Sequence, residues 1–121
     1  MIATSAQRDE LNALLEQAGL EELVDRKTSS SDADRSKPDP DIIRAALDRG
    51  GLRAEEAIML GDTPYDVEAA SNAGVASVAV RCGGWPDRAL SGAVAIYDDA
   101  RQLLEEFESS PFARAAEGTA P

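Results

Sequence analysis

Short apolar runs alternate with amphipathic helical segments along this chain, and no other feature limits its fold as strongly. The runs at residues 1–3, 57–60, 76–80 and 93–97 have the length and composition of buried strands. Helical patterns of roughly ten residues lie between them, as in the strand–helix–strand units of parallel sheets. The alternation therefore predicts an α/β fold in which helices cover both faces of a parallel sheet.

Glycine and proline residues mark the ends of the predicted helices. The first helix ends at Gly19, a residue type that closes helices in a left-handed conformation. A second helix has Pro40 at its first position and Asp39 as its cap. A third ends at Gly74. The stretch "TSSSDADRSKPDPD", which precedes the second helix, has no periodicity and is predicted to be a loop.

The length of 121 residues predicts one domain. We place this domain at residues 1–108, because the remaining residues 109–121 are mostly small, polar, alanine or proline. Such a composition buries little apolar surface, so these residues are predicted to form a disordered tail.

The charge balance excludes several classes of function. A formal net charge of −11 argues against sequence-independent nucleic-acid binding and against docking on anionic membranes. The chain has no histidine, which removes Ser-His-Asp hydrolysis and most zinc chemistry. Its single cysteine is expected to be a reduced thiol. No apolar run approaches the roughly 18 residues of a membrane span, and the first residues have no signal-peptide core, so we predict a cytoplasmic protein.

Two acids follow an apolar run in the stretch "MLGDTPYDVEAA". Asp62 ends the predicted strand, and Asp66 lies in the first turn of the next helix. Carboxylates this close repel each other unless one is protonated or a cation lies between them. Mg²⁺ takes one or two carboxylates together with waters and a substrate phosphate, so the pair is interpreted as half of a Mg²⁺ site. The alternative is a helix N-terminus that favours acids through its dipole.

Other polar residues are candidates for binding an anion. Lys37, in "SKPDPD", lies in a loop that two prolines stiffen, and a cation held in place suits a phosphate dianion. Thr4 and Ser5 lie between the first strand and the first helix, where hydroxyl and backbone N–H groups can hold an anion. The alternatives are an exposed surface lysine and an ordinary Ser/Thr helix cap. A calcium loop fails, because Lys37 stands where its sharp-turn glycine should be.

The order of these signals resembles the haloacid dehalogenase-like hydrolase superfamily, especially phosphatases of the phosphoglycolate phosphatase type. "KPDPDII" and "MLGDTPYDVEAASNAG" carry most of the resemblance, which runs to about residue 107. It implies a Rossmann-like core. It also implies that Thr4 binds the phosphoryl group, that Lys37 steadies the phosphorylated intermediate, and that Asp62 and Asp66 bind Mg²⁺. The acid pair favours the phosphatases over the metal-free dehalogenases of the superfamily.

The sequence departs from that family at the nucleophile. The family carries Asp-x-Asp after an apolar strand near its N-terminus, where the first aspartate attacks phosphorus. Here Asp32 and Asp34, like Asp39 and Asp41, do not follow such a strand. The pair at 98–99 does, but at the last strand, where the family has no chemistry. The chain is therefore expected to be an incomplete core, the C-terminal portion of such an enzyme without its first motif and cap domain.

Two functions follow as expectations. The first is part of a Mg²⁺-dependent phosphatase that hydrolyses a small phosphorylated metabolite through an aspartyl phosphate. The second is a catalytically inactive module that binds an anion, a metal or a partner. A signalling receiver domain fits less well, because residues 4–6 are Thr-Ser-Ala where it needs acids. The unpaired strand edges of an incomplete sheet predict self-association or pairing with a missing N-terminal segment.

Overall fold

The structure, a computed structural model, describes residues 2–3, 8–19, 27–28 and 40–116. Strands and helices alternate along most of this part of the chain. In chain order the strands are β1 (Ile2–Ala3), β2 (Lys27–Thr28), β3 (Ile58–Gly61), β4 (Ala76–Val80) and β5 (Ala95–Tyr97), and the helices are α1 (Arg8–Ala18), α2 (Asp41–Gly50), α3 (Pro64–Asn72), α4 (Ala100–Glu105) and α5 (Pro111–Ala116).

Every strand pair is parallel, as the alternation predicts. The order in the larger sheet is β3-β4-β5, with Ile58 opposite Ala76 and Val78 opposite Ala95. β1 and β2 form a separate two-stranded parallel sheet. The predicted α/β fold with a Rossmann-like parallel sheet is confirmed.

The central strand β4 has helices packed against both of its faces. Val78 and Val80 form one apolar cluster with Tyr97 and with Leu103 of α4. The intervening Ala79 faces the other way, and the cluster on that side includes Val67 of α3 and Leu90. Successive side chains of a strand point to opposite faces, so the run of small and branched apolar residues in β4 fits a strand that is buried on both sides.

Helix α2 packs beside α3 on the Ala79 face. Ile42 and Ile43 of α2 share a buried cluster with Ala69 and Ala70 of α3, and Met59 of β3 packs against that cluster. The two alanines are fully buried, and their small side chains allow the two helices to approach closely. This packing fixes α3, and with it the turn between β3 and α3, relative to the sheet.

The helix ends agree with the predicted glycine positions and differ at one cap. Gly19, Gly51 and Gly74 all have positive φ angles, of 70°, 65° and 77°. Pro40 is the N-cap of α2, and the helix begins at Asp41, one residue later than the sequence pattern predicts. The predicted cap, Asp39, lies outside the described residues.

A helix lies in the segment that the composition assigned to a disordered tail. Pro111–Ala116 form α5, Ala113 is buried, and Phe112 packs against the cluster around Val78. The prediction of disorder is therefore wrong for residues 109–116, while residues 117–121 lie outside the described part. The overlooked signal is Ser110 followed by Pro111, since the fully buried Ser110 accepts a hydrogen bond from the Ala113 N–H as a helix cap does.

The outer edge of β3 is open within the described residues. β3 pairs with β4 alone and not with β1, and its Leu60 is 46% exposed. Among the residues that the structure describes, no helix is long and apolar enough to cross a membrane.

Candidate functional site

The turn from β3 into α3 is held by the carboxylate of Asp66. Its Oδ2 accepts hydrogen bonds from the N–H of Asp62 at 3.2 Å, the N–H of Thr63 at 3.3 Å and the hydroxyl of Thr63 at 3.1 Å. The Thr63 hydroxyl oxygen in turn accepts the N–H of Asp66. This reciprocal pair is a capping box, and it ties the first turn of α3 to the end of β3.

Gly61 makes this close turn possible. A Cβ at residue 61 would overlap the Cβ of Asp66 and lie 2.7 Å from its Oδ2. Asp66 itself is only 5% exposed. The glycine of the "GDTPYD" stretch is therefore required because the buried side chain of Asp66 packs against the backbone of residue 61.

Asp62 has the opposite environment. It is exposed at the carboxyl end of β3, the end at which parallel α/β sheets bind ligands. No hydrogen bond or ion pair within the described residues engages its carboxylate, whereas its backbone N–H is held by Asp66. The turn therefore fixes the backbone of Asp62 and leaves its exposed carboxylate without a hydrogen-bond partner among the described residues.

The carboxylate oxygens at this turn meet part of the requirements of a Mg²⁺ site. Carboxylate oxygens are the ligands that Mg²⁺ prefers, and Mg²⁺ often keeps waters in its remaining positions. Asp62 fits as a direct ligand. One oxygen of Asp66 already accepts three hydrogen bonds, so the geometry favours Asp66 as the group that holds the turn. Within the described ranges no three acidic, histidine or cysteine side chains cluster as a metal site.

The structure describes only two of the predicted site residues, Asp62 and Asp66, and brings them together. Thr4, Ser5 and Lys37 lie outside the described residues, and their assignment as phosphate-binding groups stays a prediction.

The acid pair after β5 has structural partners. Asp98 accepts a hydrogen bond from Arg81, and Asp99 caps α4 by accepting the N–H of Gln102. These contacts account for both carboxylates without a catalytic role, in agreement with the sequence argument that the family has no chemistry at the last strand.

A loop from Arg81 to Asp87 lies against this turn. A Cβ at Gly83 would overlap the carbonyl oxygen of Asp62 and lie 3.1 Å from the Asp62 Cβ, so the bare backbone of Gly83 borders Asp62. Arg81 donates from Nε and Nη2 to the two carboxylate oxygens of Asp87 at 2.7 and 3.1 Å, and from Nη1 to Asp98 at 2.6 Å. This arginine connects both ends of the loop to the end of β5.

The ion pairs of the loop shift the pKa values of their members. The side-chain hydrogen bonds from Arg81 lower the pKa of Asp87 below that of an ordinary aspartate. The same contact with Asp87, followed by the contact with Asp98, raises the pKa of Arg81. Both shifts favour the charged forms, so the loop carries a fixed ion pair at neutral pH.

Two aromatic side chains from the start of α3 and from the loop contact each other. Tyr65 in the first turn of α3 and Trp85 in the loop meet edge to face, with ring centroids 5.9 Å apart and planes at 87°. None of the buried clusters of the described residues contains Trp85. The sequence pattern does not single out Tyr65, which lies in the first turn of α3, three residues after Asp62.

Comparison with known proteins agrees with this geometry. Residues 1–80 match the family model described as haloacid dehalogenase-like hydrolase. The chain belongs to the haloacid dehalogenase-like hydrolases. The match spans well over half of the sequence and includes the whole turn from Gly61 to Asp66.

Individual relatives cover most of the chain. It is 36% identical over 103 residues to a phosphoglycolate phosphatase of Rhodospirillum rubrum, a match that covers 84% of this chain and 43% of the relative. It is 39% identical over 79 residues to the pyrophosphatase PpaX of Bacillus velezensis, covering 65% of this chain and 37% of the relative. The chain thus spans less than half the length of either curated relative.

A solved structure shares the fold. The crystal structure of a hydrolase from Pseudomonas syringae superposes with a TM-score of 0.76 at 27% identity, over 85% of this chain and 50% of that protein. The fold of this chain is therefore one that an experimental hydrolase structure also has.

Proposed function

We propose that this chain forms the phosphate- and Mg²⁺-binding part of a phosphatase that acts on a small phosphorylated metabolite. The observation that carries the proposal is the exposed side chain of Asp62, whose backbone is held by the buried Asp66 at the carboxyl end of β3. The phosphoglycolate phosphatase and pyrophosphatase relatives support phosphate chemistry for the whole protein.

Each residue has a distinct part in this proposal. Asp62 binds Mg²⁺ directly, and Asp66 keeps that carboxylate in place through the turn. Thr4, Ser5 and Lys37 bind the phosphate oxygens, with Lys37 supplying a positive charge in an otherwise acidic chain. Bound Mg²⁺ would neutralise negative charge on the phosphate. Hydrolysis would proceed through an aspartyl phosphate, in which the attacking oxygen replaces the leaving-group oxygen on phosphorus and water then cleaves the acyl phosphate.

A magnesium titration followed by NMR tests the metal site. Backbone amide shifts are expected to cluster at residues 61–66 in the wild-type chain and to disappear in Asp62→Asn. Glu68→Gln is the matched control, because Glu68 is an exposed acid on α3, outside the turn, and the substitution removes the same charge. Shifts that survive in Asp62→Asn, or that vanish equally in Glu68→Gln, would count against Asp62 as a ligand.

The second candidate is a module that binds these ligands without turnover. It is favoured by the contacts of Asp98 and Asp99, which leave no strand-end acid pair among the described residues available as a nucleophile. Mass spectrometry after exposure to acetyl phosphate and Mg²⁺ separates the two functions. An added phosphoryl group on an aspartate supports the phosphatase, whereas an unmodified chain that still binds phosphate supports the binding module.

We also propose that the open edge of β3 takes a further strand, from a second copy or from an N-terminal segment. The unpaired edge within the described residues and the exposure of Leu60 support this proposal, since unpaired strand edges promote association. Sedimentation over a range of protein concentrations is expected to show self-association. A peptide with an apolar strand ending in Asp-x-Asp should suppress that association and raise the melting temperature.

A further inference from the structure

The two segments that border Asp62, the start of α3 and the loop at residues 81–87, carry two large aromatic side chains that the proposed phosphate chemistry does not use. Tyr65 is 50% exposed and Trp85 is 38% exposed, and their rings touch edge to face. An edge-to-face pair leaves part of each aromatic face open to a further ring. We call Tyr65 and Trp85 the aromatic wall.

Both members of the wall are connected to the Asp62 turn by the backbone. Tyr65 lies inside the capping box that Thr63 and Asp66 close, so its Cα is fixed relative to Asp62. Trp85 follows two residues after Gly83, whose backbone lies against Asp62. The wall therefore borders the place where the proposed phosphate would lie.

The loop that carries Trp85 is braced at both ends. Gly84 has a φ of 87°, a conformation that favours glycine, and Pro86 fixes the φ on the other side at −72°. The bidentate contact between Arg81 and Asp87 then closes the loop around Trp85. Bidentate pairs of this kind fix geometry as well as adding energy, and a preorganised side chain binds a ligand at a lower entropic cost.

The charges of the wall indicate what kind of group it accepts. Tyr65 and Trp85 are uncharged, and the guanidinium of Arg81 already binds the carboxylates of Asp87 and Asp98. The guanidinium of Arg81 is therefore already engaged and does not offer a free cation to a second anionic group of a substrate. A ring with an apolar face would instead gain stacking and edge contacts with the aromatic side chains.

We infer that the aromatic wall determines substrate specificity by binding the organic part of a phosphate monoester, and that it favours monoesters with an uncharged ring. This inference rests on the proposed function, because the phosphate anchors the substrate beside Asp62. Trp85 makes the principal contact, and Tyr65 supports it.

Calorimetric titration of the full chain with Mg²⁺ present tests the inference. The ligands are phenyl phosphate and glucose 6-phosphate, which carry rings, and ethyl phosphate, which has the same phosphate group without a ring. At least one ring monoester is expected to bind about fivefold more tightly than ethyl phosphate, the ratio that an aromatic contact of about 1 kcal/mol produces. The ligand that shows the preference identifies an aryl or a sugar ring as the group that the wall accepts.

Two variants test whether a preference for ring monoesters comes from the aromatic wall or from apolar contacts elsewhere on the chain. Trp85→Ala is expected to abolish the preference for the ring while leaving the affinity for ethyl phosphate within about twofold. Phe107→Ala removes an exposed aromatic side chain outside the site and should leave the preference intact. Since Trp85 is the only tryptophan of the chain, its fluorescence should also respond to the preferred ring monoester and not to ethyl phosphate.

The outcomes distinguish this inference from the function on which it rests. Ethyl phosphate that binds as tightly as both ring monoesters, or a ring preference that survives in Trp85→Ala, overturns the inference and leaves the phosphate site standing. If none of the three monoesters binds in the presence of Mg²⁺, the proposed function and the inference both fail.

Discussion

The turn at residues 61–66 and the loop at residues 81–87 border the same site and are held in different ways. The turn is fixed by a buried carboxylate that accepts three hydrogen bonds from its own neighbours. The loop is fixed by ion pairs between side chains that remain 39–71% exposed. One region depends on burial and close packing, and the other depends on charge.

This difference separates the two tasks of the site. A metal ligand must stay in one position, and buried hydrogen bonds are little affected by salt. A surface that contacts the variable part of a substrate can be adjusted, and exposed ion pairs respond to salt and pH. We therefore expect substitutions of Gly61 and Asp66, which hold the turn, to reduce stability, and substitutions in the loop to change the environment of Trp85 with little effect on stability.

The largest expected effect is that of Asp66→Ala. The substitution leaves the N–H groups of Asp62 and Thr63 without their acceptor, and it should lower the free energy of unfolding by about 3 kcal/mol. Asp66→Asn retains one carbonyl oxygen and should cost about half as much. Urea denaturation measures both variants. An Asp66→Ala chain as stable as the wild type would show that the turn is not held by this carboxylate.

Gly61→Ala should have the next largest effect. The added methyl group would overlap the Cβ of Asp66, and overpacking of this kind costs about 2 kcal/mol. Gly51→Ala is the matched control, because its positive φ is strained for alanine but no atom lies within 4 Å of the added methyl; it should cost about 1 kcal/mol. Thermal melts of the two variants compare packing with backbone strain, and equal losses would refute the packing argument.

The sequence predicted the turn better than the loop, for a physical reason. In the turn the interacting residues are at most five positions apart, so the local motif Gly-Asp-x-x-x-Asp is enough to predict the contact. The contact between Arg81 and Asp98 joins residues 17 positions apart, and no local pattern indicates it. The parallel sheet was predictable because apolar runs of strand length separated by helices limit the fold.

The predictions that failed had two different causes, one local and one not. The disorder predicted from residue 109 relied on composition and overlooked a local cap at Ser110. The edge-to-face contact of Tyr65 with Trp85 joins two elements distant in sequence, and only the folded chain shows it. The phosphate-binding roles of Thr4 and Lys37 stay predictions, since both residues lie outside the described part of the chain.

Arg81→Gln should change the loop and leave the turn intact. Without the guanidinium, Asp87 and Asp98 lose their common partner, and Trp85 should become more accessible to acrylamide in quenching experiments. Arg81→Lys is the informative control, because it keeps the charge but loses the bidentate geometry, and it should behave more like Arg81→Gln than like the wild type. Unchanged quenching in both variants would mean that the backbone at Gly84 and Pro86 is sufficient to hold the loop.

Lowering the pH should loosen the loop of the wild-type chain in the same way as the Arg81→Gln substitution does. Arg81 lowers the pKa of Asp87 in the folded state, so the contribution of this contact is fully present above the ordinary aspartate pKa of about 3.9 and is lost as the pH falls through the lower, folded value. Trp85 emission should therefore be constant from neutral pH down to about pH 4 and change below it. The Arg81→Gln chain should lack this step, and an identical step in both chains would assign it to another carboxylate.

The smallest expected effect on stability is that of Asp62→Asn. This substitution tests whether Asp66 holds the turn while Asp62 is available for a metal. The Asp62 carboxylate is exposed and makes no hydrogen bond within the described residues, whereas its N–H bond to Asp66 does not depend on the side chain. Stability should therefore change by no more than about 0.5 kcal/mol, the usual range for a surface position. Removing a negative charge from beside the buried Asp66 carboxylate should even raise stability slightly, because like charges repel.

Added Mg²⁺ should raise the melting temperature of the wild type and not that of Asp62→Asn, since a ligand stabilises only a chain that binds it. A loss of stability in Asp62→Asn comparable with that in Asp66→Ala would show that both acids hold the turn and that neither is reserved for a metal.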